Sequence, residues 1–117
     1  MPSERPRQRL TDIIEQCDRV FAHIDGETFE SYERDSKTSD AVERCLSRIS
    51  EACSKLGAYL DGLYPDTPWR EMRGYGNVLR HRYEEVVHML VWRTIKLDLP
   101  KLRASAATEL KRLESTD

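Results

Sequence analysis

WREMRGYGNVLRHRY, residues 69–83, is the run of this chain that carries most information. Asp66, Thr67 and Pro68 lead into it. A hydroxyl can accept from the free N–H groups of a first helical turn, and Pro has no N–H to leave unpaired there. Together they predict a helix from Pro68. Met72, Tyr75 and Leu79 recur at three- and four-residue steps as one apolar stripe, while Arg73, Asn77 and His81 recur every four residues on another side. One face is built to pack and the other to present polar groups. Gly74 and Gly76 each weaken a helix by about 1 kcal/mol relative to Ala, so the pair predicts that another backbone comes close, a helix of the same chain or of a second subunit. Between Arg70 and Arg82 stand four arginines and one acid, Glu71, in a chain whose net charge is -2. Positive potential is concentrated in this run.

Working outward, Leu63-Tyr64-Pro65-Asp66-Thr67-Pro68 makes the turn before it, because both prolines oppose a continuing helix. Upstream, Val42, Cys45, Leu46, Ile49, Cys53, Leu56, Tyr59, Leu60 and Leu63 sustain one stripe, the signature of a long helix packed lengthwise in a bundle. Ser36 to Asp40 offer its N-cap, and Phe29 and Tyr32 fit a single helical turn within 27–35. Leu10, Ile13, Ile14, Cys17, Val20, Phe21 and Ile24 define a first helix that Gly26 closes. Downstream, Val87, Leu90, Val91, Ile95, Leu99, Leu102, Ala106, Leu110 and Leu113 define a last helix of roughly seven turns. Pro100 lies inside it, removes a hydrogen bond and crowds the preceding turn, which predicts a kink between Lys96 and Leu99. The expected fold is all-α: an up-and-down four-helix bundle with one further short helix, a single domain over residues 7–114 behind a flexible lead of residues 1–6.

Apolar residues make up 38% and charged residues 34% of the chain, with mean hydropathy -0.70, so the helices carry heavily charged outer faces. No apolar run approaches the ~20 residues of a membrane span, and the opening MPSERPRQRL lacks the apolar core of a signal peptide. A cytoplasmic location and no membrane partner are the expectation. Cys17, Cys45 and Cys53 are odd in number, lack CxxC spacing and fall on apolar stripes, which predicts buried reduced thiols. His23, His81 and His88 show no metal-ligand spacing, and neither a metal nor another cofactor is expected.

Asn77, three further residues, His81, one residue and Tyr83, in a helix begun at Trp69 and followed by Val91, Trp92, Thr94, Asp98, Leu99, Pro100 and Leu102, resemble the HepT-like toxins of the HEPN superfamily. Asp40-Ala41-Val42-Glu43-Arg44 and Ile49-Ser50-Glu51-Ala52, within the stretch from Tyr32 to Gly57, are similar to another part of the same pattern, and the likeness runs from about Phe29 to Leu110. The family motif is Arg, four residues, His, one residue, Tyr. Gly76 stands where that Arg belongs, with Arg73 one turn before it and Arg80 one turn after.

The resemblance implies a HEPN-like homodimer whose motif helices face each other, and a toxin that cleaves RNA without a metal. Such cleavage needs a base for the 2′-hydroxyl proton, an acid for the leaving 5′-oxygen and positive charge on the phosphate. Histidine is the residue type that ordinarily exchanges a proton near neutral pH, which makes His81 the candidate for proton transfer. Asn77 is placed to orient it or to hydrogen-bond a phosphate oxygen. Arg73 and Arg80 are candidates for the charge, since a guanidinium grips phosphate with two parallel hydrogen bonds. Arg70, Arg82 and Tyr83 join them as RNA-binding candidates. The resemblance also implies a nucleotidyltransferase antitoxin of the MNT type as partner, which attaches AMP to the motif tyrosine, here Tyr83. The alternative is a HEPN dimer that has lost cleavage with its motif arginine and serves as a binding module for that partner.

Overall fold

The first helix, α1, runs Pro6–His23, with Pro at its start and Leu10, Ile13, Cys17 and Val20 on its buried stripe. In this computed structural model residues 5–81 and 84–115 are described, with the backbone alone for 84–86. Gly26, at φ 76°, reverses the chain behind α1. The short helix α2, Phe29–Arg34, opens with a capping box: the Thr28 hydroxyl accepts from the Ser31 N–H at 3.1 Å and the Ser31 hydroxyl from the Thr28 N–H at 2.9 Å. The single turn expected within 27–35 is this helix.

Asp35 caps α3, Ser36–Leu56, by accepting from the Thr38 N–H at 3.2 Å. The stripe from Val42 through Leu56 is buried, but the helix stops at Gly57 (φ 71°, ψ -149°), a conformation L side chains rarely adopt. The sequence expectation of one helix reaching Leu63 is therefore corrected. Leu60 still reaches the core from the turns that follow, whereas Leu63 is 53% exposed. This segment is tied to the far end of the chain by the Tyr64 hydroxyl, which donates to Glu109 at 3.0 Å, and by the hydroxyls of Thr67 and Ser105 at 2.5 Å.

The expected helix from Pro68 to Tyr83 is also corrected. Two short helices stand there, α4 (Trp69–Arg73) and α5 (Tyr75–Arg80), joined at Gly74, and the Thr67 hydroxyl is bonded to Ser105 rather than capping α4. The last rod begins with α6, Glu84–Arg93, passes through a π-helical turn at Thr94–Asp98, and continues as α7, Leu99–Ser115. The Leu99 N–H reaches back five residues to the Thr94 carbonyl, and this widened turn accommodates Pro100 in the place where a kink was expected.

Among the described residues every regular element is helical: α1 packs along α3 and α7, and α4 and α5 close a further side of the bundle against α3. Tyr32, Ile49, Leu56, Met72, Ile95, Leu99 and Leu102 meet in one core. Trp69 is buried, while half-buried Trp92 packs against Phe29 and Tyr32 and carries the Lys96 ammonium 4.9 Å from its ring centre. The three cysteines are free and buried, and burial pushes the Cys17 and Cys53 thiols up to about 12. No described helix is long and apolar enough to cross a membrane.

Candidate functional site on the broken motif helix

The apolar stripe of the motif segment packs as its spacing predicts: Met72, Tyr75 and Leu79 are buried. The Tyr75 hydroxyl donates to Thr94 Oγ1 at 2.9 Å, and that hydroxyl donates to the Leu90 carbonyl, so α5 is fastened to the start of the π turn. The break between α4 and α5 is held from the other side by Ser50 of α3. Its hydroxyl accepts from the Gly76 N–H at 3.0 Å and donates to the Arg73 carbonyl at 3.2 Å. The inserted oxygen thus bridges two backbone groups at the joint where the straight ladder stops. Ser54 adds a second donor to the same carbonyl at 3.3 Å. Among the described residues no second backbone crowds these glycines. A Cβ at Gly76 would meet only Ser50 Oγ and Arg80 Nη1, both at 3.6 Å, and one at Gly74 only the carbonyls of its own helix.

The two candidate arginines have different surroundings. Arg73 makes a two-pronged ion pair with Asp61, Nη1 to Oδ1 and Nη2 to Oδ2, each at 2.8 Å, and Nη1 also donates to the Gly57 carbonyl at 3.1 Å. The hydrogen bonds from Arg73 hold the Asp61 carboxyl below its usual range, with a smaller electrostatic contribution from Arg70, which is exposed on α4. The charge of Arg73 is matched inside the fold. Arg80 is exposed, forms no ion pair among the described residues, and folds back so that Nη1 lies over Gly76. A guanidinium therefore stands over Gly76, supplied from one turn later.

Asn77 and His81 are exposed. His81 does not continue the helix: it caps α5 at φ -111°, ψ 56°, with its N–H donating to the Asn77 carbonyl at 3.1 Å. The link between these two candidates is thus through the backbone, and among the described residues the His81 side chain has no hydrogen-bond partner. Arg82 and Tyr83 lie outside the described residues.

Two cavities open between α3 and the α4–α5 pair. One of about 580 Å³ is lined by Asp40, Glu43, Arg44 and Leu79. The other, of about 390 Å³, is lined by Ser50, Glu51, Ser54, Arg73, Gly74 and Asn77. Ser47, Gly76 and Arg80 belong to both walls, and His81 to neither. Two residues that organise this region escaped sequence reasoning. Asp61 sits in an irregular segment with nothing in its spacing to pair it with Arg73. Ser50 had a signal, since it is a hydroxyl on the core-facing side of α3 between Leu46 and Cys53.

The sequence matches the family model described as HepT-like, "Ribonuclease HepT-like", over residues 13–108. Similar proteins include "Putative RNase MJ1216" of Methanocaldococcus jannaschii, 29% identical over all of this chain and 97% of the relative. Another is "Probable ribonuclease HepT" of Thermococcus cleftensis, 35% identical over 80% of this chain and 86% of the relative. No solved structure is a significant match. The family match spans the buried stripes, the Ser50-pinned joint and α5 with its exposed Arg80, Asn77 and His81, so fold and candidate site fall inside one recognised unit: the chain belongs to the HepT-like ribonuclease family.

Proposed function

We propose that this protein is a metal-independent endoribonuclease that acts as the toxin of a toxin–antitoxin pair, with Arg80 in the role of the family's motif arginine. The observation that carries this reading is the contrast between the two guanidiniums. Arg73 is held by Asp61, whereas Arg80 is unpaired among the described residues and lies 3.6 Å from the Cβ position of Gly76. Phosphate neutralisation needs a charge that is not already spent, and Arg80 offers one.

The reaction begins as a 2′-hydroxyl loses its proton to a neutral His81 and its oxygen attacks the adjacent phosphorus. The P–O5′ bond breaks as a second, protonated His81 gives its proton to the leaving oxygen, leaving a 2′,3′-cyclic phosphate and a 5′-hydroxyl. Arg80 and the Asn77 amide stabilise the charge gathering on the phosphate oxygens. One chain supplies one such histidine, so the active unit is a homodimer with the two α5 ends facing each other. Exposed Met89 and Leu97, at 64% and 54%, support an apolar contact between copies. An MNT-type nucleotidyltransferase partner silences the toxin by attaching AMP to Tyr83, which places bulk and negative charge beside the RNA site.

The test is cleavage of a labelled oligoribonucleotide in excess chelator, with sedimentation of the same samples. We expect His81→Ala and Arg80→Ala each to lower kcat at least ~100-fold, while Arg73→Ala keeps activity in the fraction that folds. Full activity of Arg80→Ala, a strict metal requirement or an active monomer would overturn the reading. A wild type that binds the nucleotidyltransferase and cleaves nothing would establish the binding module instead.

A further inference from the structure

The two cavities are better described as one groove with a waist, because Ser47, Gly76 and Arg80 line both. At the waist, the absence of a side chain on Gly76 leaves the Arg80 guanidinium as the group that meets an incoming ligand. On one side the lobe of about 580 Å³ presents the buried edge of Leu79 and the exposed Arg44, whose planar guanidinium suits stacking on a base. Asp40, also exposed there, accepts hydrogen bonds from base N–H groups. On the other side the lobe of about 390 Å³ presents the Ser54 hydroxyl and the Asn77 amide, which pair with ribose hydroxyls and base edges. Each lobe falls in or near the ~300–1,000 Å³ range of small-molecule sites. A phosphodiester differs from a free phosphate in carrying a nucleoside on either side.

We propose that this groove is a single-strand RNA track within one protomer, with a phosphodiester on Arg80 and one nucleoside in each lobe. It rests on the ribonuclease reading for the identity of the ligand and adds the route of the strand: the chain runs between α3 and α5 toward His81, the residue after Arg80.

The test is binding, kept separate from cleavage. A fluorescent single-stranded oligoribonucleotide is titrated into His81→Ala protein, with Arg44→Glu to remove the stacking cation of the first lobe, Ser54→Leu to fill the second and Lys111→Leu as a remote control. Each lobe variant should raise Kd about tenfold, the loss of one base contact, and the double variant about a hundredfold. The remote variant should stay within about twofold. Circular dichroism and melting verify the fold, and Arg44→Gln and Asn77→Leu replace any variant that fails to fold. Unchanged Kd in either lobe overturns the two-sided track, as does equal competition by polyphosphate of matched charge, which would reduce the groove to a generic anion surface. Wild-type protein that binds RNA with this lobe dependence yet cleaves nothing refutes the nuclease reading and leaves the groove standing. Cleavage with both lobe variants binding normally does the reverse.

Discussion

Replacing Ser50 by Ala removes one oxygen from the α4–α5 joint. That oxygen is the acceptor for the Gly76 N–H at 3.0 Å and a donor to the Arg73 carbonyl at 3.2 Å, on a residue only 4% exposed. The carbonyl keeps Ser54 as a donor at 3.3 Å, so the uncompensated loss is the Gly76 N–H. Leaving a buried donor unpaired costs about 1–3 kcal/mol. Gly76 is half-buried beside an open groove and water can take up part of the deficit, which favours about 1–2 kcal/mol. At about 2.1 cal/mol/K of unfolding entropy per residue, this chain should lose about 4–8 °C in Tm. The assay is thermal unfolding by far-UV circular dichroism on wild type, Ser50→Ala, Ser50→Thr and Ser54→Ala. Ser50→Thr retains the hydroxyl and should recover most of the loss. Ser54→Ala, exposed and duplicated, should cost under about 0.5 kcal/mol. Equal melting of the two alanine variants would refute the idea that Ser50 pins the joint.

Four further expectations follow from the same geometry. Gly76→Ala should stabilise the protein by about 0.5–1 kcal/mol in urea unfolding, since its Cβ would make ordinary 3.6 Å contacts and α5 gains helix propensity. Gly57→Ala should cost about 1–3 kcal/mol in the same assay, because φ 71° with ψ -149° strains any L side chain. Arg73→Ala should lower stability by about 1 kcal/mol at most, as its pairing with Asp61 is partly exposed to solvent, and a loss of several kcal/mol would mean that the pair is tighter than its exposure implies. The carboxyl of buried Glu109 is held below its usual range first by hydrogen bonds from Arg112 and also by the Tyr64 hydroxyl. A depressed folded-state pKa contributes stability above the pKa of an unfolded glutamate, and that contribution is lost as pH falls through the folded-state value. The urea midpoint should therefore drop through this acidic window, and Glu109→Gln should flatten that part of the profile.

The helices of the bundle were legible because their apolar residues recur at helical steps: Leu10, Ile13, Cys17 and Val20, the stripe from Val42 to Leu56, and Val87, Val91, Ile95, Leu99, Leu102 and Ala106 are buried as the periodicity requires, whereas Leu90 of the same last stripe is 37% exposed. The same periodicity misled at the ends. Tyr59, Leu60 and Leu63 continue the α3 stripe in sequence, yet Gly57 ends the helix through a backbone conformation that side-chain spacing does not encode. The glycines of the motif segment predict a close approach by another backbone, of this chain or of a second subunit; among the described residues of this chain the group that meets Gly76 is a serine side chain 26 residues away. For the candidate site the sequence names residues but not their arrangement. Arg73 and Arg80 are equivalent in spacing around Gly76, and what separates them is Asp61, a tertiary partner supplied by an irregular segment.

The π turn at Thr94–Asp98 works as a phase adjuster on the last rod. One residue more than a regular ladder needs rotates everything before it by about 100° relative to everything after it. Leu99, Leu102 and Ala106 face the core from α7, and it is this offset that lets Trp92 on α6 meet Tyr32 and Phe29 while Thr94 receives the Tyr75 hydroxyl. Deleting a single residue from this turn would leave the composition of the rod almost untouched and still turn α6 away from α2 and α5. The alignment of the motif helix with the rest of the bundle is thus written in the count of residues between Thr94 and Asp98 as much as in their identities.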